Sequence, residues 1–260
     1  MCVRFIEVSE DPFYEIEYRS SGRGGKVRKV VLPFYKAIVD ELPKGITSFV
    51  ITSDLQGREQ KKTNRLIGEL VAEELSLLSD LGEIPPVSLV ALAGDFYDHP
   101  ELHKLGGTGD VTTVWNAFAK EFPFVVGVHG NHDIVVESHL ASNTIVLDGN
   151  SKNYLGIRIG GVSGIIGSSD RNQRKSKREF MSALAKVTNV KNDLILLHLG
   201  PEDATNRQIG DPEITNYLLS KGTDIVAFGH CHWSKSFIDI GKNQVLNVDH
   251  RLYLVTTANA

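Results

Sequence analysis

The sequence has little cysteine, no long apolar run and no strong excess of charge of either sign. Its 260 residues include two cysteines, Cys2 and Cys231, which are too few for a disulfide framework. No apolar stretch approaches the ~18 residues of a membrane-spanning helix, and the first residues lack the apolar segment of a signal peptide. The net charge of −4 gives no general attraction to nucleic acid or to an acidic membrane. These absences predict a cytoplasmic protein that acts without a membrane.

The length suits one large domain, or one domain with an appendage. Residues 13–18 alternate between apolar and polar, as a half-buried strand does, and a glycine-rich turn at 21–25 separates them from a second strand at 26–32. The pattern predicts an appendage with a β-hairpin over residues 1–45 and a main domain over 46–260. The hairpin is basic, so its face is either solvated or binds phosphate. We expect it at a sheet edge or in an oligomer contact.

Short apolar runs alternate with helical patterns along the main domain. After a first strand that leads into Asp54, strands are predicted at 87–93, 124–128, 154–159, 193–197 and 224–228, and three more between 235 and 257. Apolar residues spaced three and four apart predict helices at 60–81, 111–122, 176–187 and 213–221. Strands that are apolar throughout and alternate with helices indicate an α/β fold with a sheet covered on both faces.

Five short polar motifs stand where these strands should end. They are Asp54-Leu55-Gln56, Gly94-Asp95-Phe96-Tyr97-Asp98, Gly130-Asn131-His132-Asp133, His198-Leu199-Gly200-Pro201 and Gly229-His230-Cys231-His232. Ligands of α/β folds bind outside the carboxyl ends of strands, so motifs this far apart in sequence can converge. Their carboxylates, imidazoles and amide oxygens suit Mn, Fe, Zn or Ni better than Ca. The sequence therefore predicts a transition-metal site at the strand ends.

In order and spacing, the five motifs resemble those of the calcineurin-like metallophosphoesterases: D-x-H, G-D-x-x-D, G-N-H-[D/E], H and G-H-x-H. The resemblance covers residues 46–257 and implies a four-layer α/β/β/α sandwich of two mixed sheets flanked by helices. It also implies a dinuclear site for two divalent metal ions. Asp95 would bridge both ions, Asp54 and His232 would complete the first site, and the second would be completed by Asn131, His198 and His230.

The same resemblance implies an enzyme that hydrolyses phosphoric esters through a hydroxide held by the metal ions. The substrate would be a phosphodiester, a nucleotide diphosphate or a phosphomonoester. His132 would protonate the leaving group or orient the phosphate, and Asp98 and Asp133 would hold the tautomer of His132. His99 follows Asp98, where related phosphatases often contact phosphate. The expected substrate contacts are therefore His99, Asn131 and His132.

One position departs from the family pattern, because Gln56 stands where D-x-H has its histidine. A carboxamide oxygen still ligates a metal, but it is a weaker donor than imidazole. We therefore expect the first site to bind metal loosely or to favour a harder ion, with Mn as the expected metal. The D-x-Q form resembles the branch that includes the manganese-dependent ADP-ribose/CDP-alcohol diphosphatases, which favours a small phosphorylated or nucleotide substrate.

Two other functions stay open at this stage. The altered Gln56 is compatible with a degenerate scaffold that binds a protein partner, although every other ligand of the pattern is retained. A nuclease of the same superfamily is the second alternative, and the mild acidity counts against nucleic acid as a partner. The basic run at 171–178 either steers a phosphorylated substrate or is the solvated start of a helix. An oligomer is compatible with the sequence.

Overall fold

The computed structural model describes residues 3–222 and 225–258. Cys2 and the first residue of the strand predicted at 224–228 lie outside this range. The α-helices are α1 (Ile67–Asp80), α2 (Thr112–Glu121), α3 (Lys177–Thr188) and α4 (Pro212–Ser220). Across the described ranges, no helix is long and apolar enough to cross a membrane.

The strands, in chain order, are β1 (Phe5–Val8), β2 (Tyr14–Ser21), β3 (Val27–Val39), β4 (Ser48–Ser53), β5 (Val87–Leu92), β6 (Gly109–Asp110), β7 (Val125–Gly127), β8 (Asp133–Ile134), β9 (Thr144–Val146), β10 (Asn150–Tyr154), β11 (Ile157–Val162), β12 (Ile165–Ile166), β13 (Arg174–Lys175), β14 (Leu194–Leu199), β15 (Ile225–Gly229), β16 (Phe237–Ile240), β17 (Asn243–Asn247) and β18 (Arg251–Thr257).

The strands form two large mixed sheets. The first has the order β1-β3-β18-β4-β5-β7-β9, with β2 also paired to β3, and β4, β5, β7 and β9 run parallel to one another. The second has the order β10-β11-β14-β15-β17-β16, with a parallel centre and antiparallel strands at both edges. Two further pairs, β6 with β8 and β12 with β13, form small parallel ribbons.

Three buried apolar clusters separate four layers. The first cluster packs α1 and α2 on the outer face of the first sheet, where Leu75 and Val90 are fully buried. The second fills the space between the sheets, with Ile51 from one sheet and Leu196 from the other. The third packs α3 and α4 on the outer face of the second sheet around Phe180. The α/β/β/α sandwich implied by the resemblance is confirmed.

The helix predicted from residue 60 begins only at Ile67. The residues before it form a polar loop around the Glu59 carboxylate, which has no exposed surface. This carboxylate accepts hydrogen bonds from the backbone N–H of Arg65 at 3.1 Å, from the Arg65 guanidinium at 3.2 Å and from the Thr63 hydroxyl. Because the Glu59 carboxylate accepts from these donors, they are paired without helical hydrogen bonds.

The single strand predicted at 154–159 is a hairpin. Strand β10 ends at Tyr154, β11 begins at Ile157, and the two pair antiparallel. The residues between them, Leu155 and Gly156, have φ values of 48° and 96°. These left-handed conformations reverse the chain, and the glycine makes the turn accessible.

The N-terminal strands share a sheet with the body of the chain. Strands β2 and β3 pair antiparallel, from Tyr14 opposite Phe34 to Ser21 opposite Val27. Strand β3 then pairs parallel with the C-terminal β18, which adjoins β4. This pairing brings the end of β2 toward the loops that follow β4 and β5. The division of the chain at residue 45 and the oligomer contact of the hairpin stay predictions.

Candidate metal centre

The candidate site lies where strands of both sheets end. Asp54 follows β4, Asp95 comes three residues after β5, and His230 follows β15. Their φ values are 56°, 60° and 67°, in the left-handed region that few residues other than glycine adopt. Asp and His are among the side chains that tolerate this region best. Three sharp turns therefore present three possible ligands at the strand ends.

Asp95, His198 and His230 form the tightest group of possible ligands at this edge. One ligand atom from each lies within 4.8 Å of the other two. Asp95 Oδ2 is 3.3 Å from His198 Nε2, and Asn131 Oδ1 is 3.2 Å from the same nitrogen. The rings of His198 and His230 have centroids 5.1 Å apart. The fold thus gathers four of the predicted ligands, which come from four different strand ends.

The surroundings of His198 fit a divalent cation. Its Nδ1 lies 2.8 Å from the carbonyl oxygen of Ala93, which can only accept, so Nδ1 carries a proton and Nε2 faces the oxygens of Asp95 and Asn131. Burial lowers the pKa of His198, but the charge of Asp95 outweighs it and raises that pKa to about 10. The site therefore favours positive charge at Nε2. A ligating histidine usually donates its other N–H to a carbonyl or carboxylate, as His198 does.

The neighbouring charges also favour a bound cation. Burial raises the pKa of Asp54 well above its ordinary value, and the charge of Asp249 raises it further. Burial also acts to raise the pKa of Asp95, but the charge of His198 prevails and lowers it. Burial, followed by the charge of His198, lowers the pKa of His230 to about 4. His230 therefore presents neutral imidazole, the form that binds metals, beside carboxylates that need a positive partner.

Asp54 and Gln56 lie on either side of this group. Asp54 is buried, and its Oδ2 accepts hydrogen bonds from the Ser53 hydroxyl at 2.6 Å and from the His230 backbone N–H at 2.9 Å. Gln56 Nε2 donates to Asp95 Oδ2 at 3.4 Å. Both side chains are thus within the same polar network, and their role as ligands stays a prediction.

His232 is held differently, because its side chain is 56% exposed. Asp249 Oδ2 lies 3.4 Å from its Nδ1, and Arg251 Nη2 lies 3.2 Å from its Nε2. The guanidinium can only donate, so Nε2 accepts and Nδ1 carries the proton that faces Asp249. Arg251 is itself buried and donates to Asn247 Oδ1 at 2.8 Å and to the Trp233 carbonyl at 2.6 Å. His232 is therefore held by two charged neighbours, Asp249 and Arg251, and is not part of the group around Asp95.

The prediction that Asp98 orients His132 is contradicted by the hydrogen bonds of Asp98. The Asp98 carboxylate is buried and accepts from the Ser21 backbone N–H at 2.8 Å, from the Ser20 hydroxyl at 3.3 Å and from the Ser21 hydroxyl. His99 adds its backbone N–H at 2.8 Å. Among the described residues, the buried Nδ1 of His132 has no hydrogen-bond partner. The Asp98 carboxylate is therefore bound by donors at the end of β2 and not by the His132 imidazole.

Contrary to the prediction, the Asp133 carboxylate accepts hydrogen bonds from backbone N–H groups and, among the described residues, none from the His132 imidazole. Its Oδ2 accepts from the N–H groups of Asp95 at 2.7 Å and Gly130 at 3.2 Å, and its Oδ1 accepts from Phe96 at 2.8 Å. The side chain has no exposed surface. Burial, together with the charge of Asp95, raises the pKa of Asp133 to about 7. Asp133 thus joins the loop after β5 to the loop after β7.

His132 lies between the metal-ligand group and a glycine-rich loop. Its backbone N–H donates to Asp95 Oδ1 at 2.8 Å, and its carbonyl accepts from Gly109 at 3.2 Å. Gly106, with φ of 72°, approaches the imidazole so closely that a Cβ there would lie 3.4 Å from Cε1. The His132 backbone is therefore bound to Asp95, and its ring lies against Gly106, which carries no side chain.

His99 belongs to a second group of possible ligands in the described part of the chain, with Glu101 and His103. The rings of His99 and His103 are 4.0 Å apart, and Glu101 Oε2 is 3.3 Å from His103 Nδ1. The side chains of Glu101 and His103 are exposed. The role of His99 as a substrate contact stays a prediction.

Four residues that hold the site were missed by the sequence reasoning. Besides Ser20 and Ser21, Arg58 donates through Nε and Nη2 to the Asp98 carbonyl at 3.1 and 2.7 Å. Asn172 Nδ2 donates to the carbonyls of Asn131 at 3.1 Å and of the residue two positions later at 2.9 Å. Asn172 stands in the basic run at 171–178, so this loop braces the third motif. The spacing of the motifs gives no indication of such long-range contacts.

We expect Ser21→Ala to lower the free energy of unfolding by about 2 kcal/mol, because a buried carboxylate loses a hydroxyl donor. The matched control is Ser138→Ala, at an exposed serine, which should change stability by less than about 0.5 kcal/mol. Urea denaturation followed by circular dichroism measures both. Equal stability of the two variants would show that the backbone N–H of Ser21 and the remaining donors suffice for Asp98.

Comparison with known proteins places the chain in a family. The model of the calcineurin-like phosphoesterases matches residues 47–234. No curated protein sequence matches the chain. The solved structures to which it is similar include phosphopantetheinyl hydrolase from Mycobacterium tuberculosis, at 11% identity over 78% of this chain and 88% of that one, with a TM-score of 0.45. They also include a 5'-nucleotidase from Candida albicans, at 15% identity over 80% of this chain and 46% of that one, with a TM-score of 0.44.

These two likenesses are too distant to carry an argument about substrate. The family match is of another kind, because it spans most of the chain and covers all five motifs. Families of this type typically bind divalent metals, and the group around Asp95 offers a place for them. The chain belongs to the calcineurin-like phosphoesterase family, and membership implies a metal-dependent hydrolase that acts on phosphoesters.

Proposed function

We propose that the protein hydrolyses a small phosphorylated or nucleotide substrate at a site for two divalent metal ions. The observation that carries the proposal is the convergence of Asp95, Asn131, His198 and His230 from four strand ends. Asp95 would be shared by both ions, since its Oδ2 contacts both His198, assigned to the second ion, and Gln56, which stands in the first motif. Asp54 would complete the first ion's ligands together with His232, whose Nε2 would exchange the Arg251 donor for the ion. Mn is the proposed metal, with Fe, Zn or Ni as alternatives.

Two divalent ions in such a site supply Lewis-acid stabilisation of phosphoryl oxygens and lower the pKa of water. Side chains of the protein itself would position the ligands and donate the proton. Asp133 fixes the two loops that carry Asp95 and Asn131, so these ligands keep their positions when substrate binds. His132 follows Asn131 directly, and its backbone N–H donates to Asp95 Oδ1 at 2.8 Å, so its side chain belongs to the same loop as these ligands. The imidazole of His132 would donate a proton to the leaving alkoxide.

The substrate class remains the finer part of the proposal. Phosphodiester, nucleotide diphosphate and phosphomonoester are the three candidates, and the basic run at 171–178 borders the site through Asn172. Such charge would favour a substrate with more than one negative group. The cytoplasmic location stays a prediction.

The test is a hydrolysis panel on purified protein freed of metal and reloaded with Mn. The panel holds bis-p-nitrophenyl phosphate, p-nitrophenyl phosphate and ADP-ribose, one compound for each candidate class. We expect turnover of at least one compound after reloading and none in the chelated control. Fully loaded protein that hydrolyses no phosphoester would contradict the proposal. Protein that takes up no metal would instead support the scaffold alternative. That alternative is based on Gln56, which stands where the family pattern has histidine.

A further inference from the structure

The loop after Asp98 carries a group of possible ligands that is separate from the group around Asp95. Its members are His99, Glu101 and His103, and one ligand atom from each lies within 4.8 Å of the other two. The rings of His99 and His103 have centroids 4.0 Å apart, and Glu101 Oε2 lies 3.3 Å from His103 Nδ1. Two imidazoles and one carboxylate are a donor set that Zn²⁺ uses in proteins.

The backbone that carries these three side chains is fixed in a turn. The His99 N–H donates to Asp98 Oδ1 at 2.8 Å, and the His99 carbonyl accepts from the Leu102 N–H at 2.9 Å. The Leu102 residue is 2% exposed, and its φ is 54°. The Pro100 carbonyl accepts from Asn64 Nδ2 at 2.8 Å. The turn therefore keeps the three ligand-bearing residues close together without the help of an ion, which lowers the entropic cost of binding one.

The contacts of the three side chains with one another leave them open to solvent. The side chain of His103 is 50% exposed and that of Glu101 is 78% exposed. Among the described residues, the ion-pair partner of Glu101 is His103. His99 Nδ1 accepts from the Glu101 backbone N–H at 3.3 Å, so the lone pair of this nitrogen points toward Glu101. An ion that arrives from solvent would exchange these long contacts for bonds to itself.

We propose that His99, Glu101 and His103 form a separate site for one Zn²⁺ ion. Imidazole nitrogen favours Zn²⁺, Ni²⁺ or Cu²⁺ over Mn²⁺, which prefers oxygen donors. The site would therefore discriminate against the ion proposed for the candidate metal centre. Three protein ligands leave the fourth tetrahedral position to water. The inference does not depend on the proposed two-metal function, because none of the three residues is a ligand there.

The same stretch of chain leads to the loop that contacts His132. Gly106, three residues after His103, lies so close to the His132 imidazole that a Cβ there would be 3.4 Å from Cε1. A Cβ on Gly25, in the turn between β2 and β3, would be 3.4 Å from the His103 carbonyl oxygen. An ion that joins His99 to His103 would reduce the conformational freedom of this segment. It would also engage His99, so the substrate contact predicted for this residue and bound Zn²⁺ would exclude each other.

Zinc binding tests the inference without reference to turnover. Metal-free protein is titrated with Zn²⁺ in competition with a chromophoric chelator, which reports both stoichiometry and affinity. His103→Ala is expected to remove one bound ion or to weaken it by about 10-fold or more, and Glu101→Gln should weaken the same ion by a smaller factor. Both replaced side chains are exposed, so both variants should keep the native circular dichroism spectrum. The control is His139→Ala, at an exposed histidine outside the group, which should match the wild type.

Nuclear magnetic resonance of the histidine rings identifies the residues that hold the ion. The ring signals of His99 and His103 are assigned from His99→Gln and His103→Ala. We expect Zn²⁺ to shift both sets of signals together in the wild type. In His103→Ala, the same concentration of Zn²⁺ should leave the His99 signals in place. A titration of the wild type with Zn²⁺ in which neither ring responds would contradict the site.

The outcomes separate this inference from the proposed function. His103→Ala or Glu101→Gln that binds Zn²⁺ as tightly as the wild type would overturn the three-residue site. An equal loss in His139→Ala would also overturn it, because any exposed histidine would then have the same effect. Ions at the candidate metal centre are bound by wild type and variants alike, so they cancel in the comparison. Wild type that binds no Mn²⁺ would instead contradict the two-metal function and leave the zinc site standing.

Discussion

Replacing Asp95 by asparagine is expected to lower kcat/KM for bis-p-nitrophenyl phosphate by about 10³-fold or more. The Oδ2 of Asp95 contacts both His198, at 3.3 Å, and Gln56, at 3.4 Å. Asparagine has nearly the same shape and can still accept the His132 N–H through Oδ1, so the loop should keep its conformation. The loss would therefore arise from the missing charge.

The loss of charge has a second consequence that can be measured without substrate. The charge of Asp95 raises the pKa of His198. Replacing Asp95 by neutral asparagine therefore makes positive charge at His198 Nε2, including that of a metal ion, less favourable. We expect the variant to hold less than one metal ion per chain by elemental analysis. Asp80→Asn, at an exposed aspartate in the last turn of α1, is the matched control and should retain both metal and turnover. Full metal content with more than a tenth of wild-type activity would contradict the bridging role of Asp95.

The site was accessible to sequence reasoning because its ligands follow strands that have strong local patterns. Each motif comes directly after, or lies at the end of, an apolar run, and the parallel strands β4, β5, β7 and β14, β15 bring their ends to one edge. The family pattern then supplies the roles. The four-layer fold follows in the same way, since apolar strands alternate with amphipathic helices.

What escaped prediction depends on contacts between distant parts of the chain. Ser21 reaches Asp98 because β2 pairs with β3, and β3 pairs with the C-terminal β18. Asp249 reaches the site because the residues before β18 run beside the end of β4. Neither pairing leaves a trace in local periodicity. The late start of α1 has the same origin, since Glu59 is satisfied by side chains that helical spacing does not reveal.

Replacing His132 by asparagine is expected to lower kcat by about 10²-fold or more for an alkyl phosphoester, and much less for a p-nitrophenyl ester. An alkoxide is a poor leaving group and needs a proton, whereas p-nitrophenolate leaves readily as an anion near neutral pH. The backbone N–H of His132 is bound to Asp95 in the candidate metal centre, and we expect the imidazole of this residue to give that proton. The comparison of the two ester classes measures proton donation separately from binding.

The metal content of this variant should equal that of the wild type, because His132 touches Asp95 through its backbone N–H, which asparagine retains. His139→Asn, at an exposed histidine in the same stretch of chain, is the control and should turn over both esters normally. An equal loss for the alkyl and the p-nitrophenyl ester would assign His132 to orientation of the phosphate. Neither Asp98 nor Asp133 holds the imidazole, because their carboxylates accept hydrogen bonds from other donors. Asp98→Asn should therefore leave the ratio of the two rates unchanged. A change in that ratio would mean that Asp98 does contact His132, which its hydrogen bonds with Ser20 and Ser21 exclude.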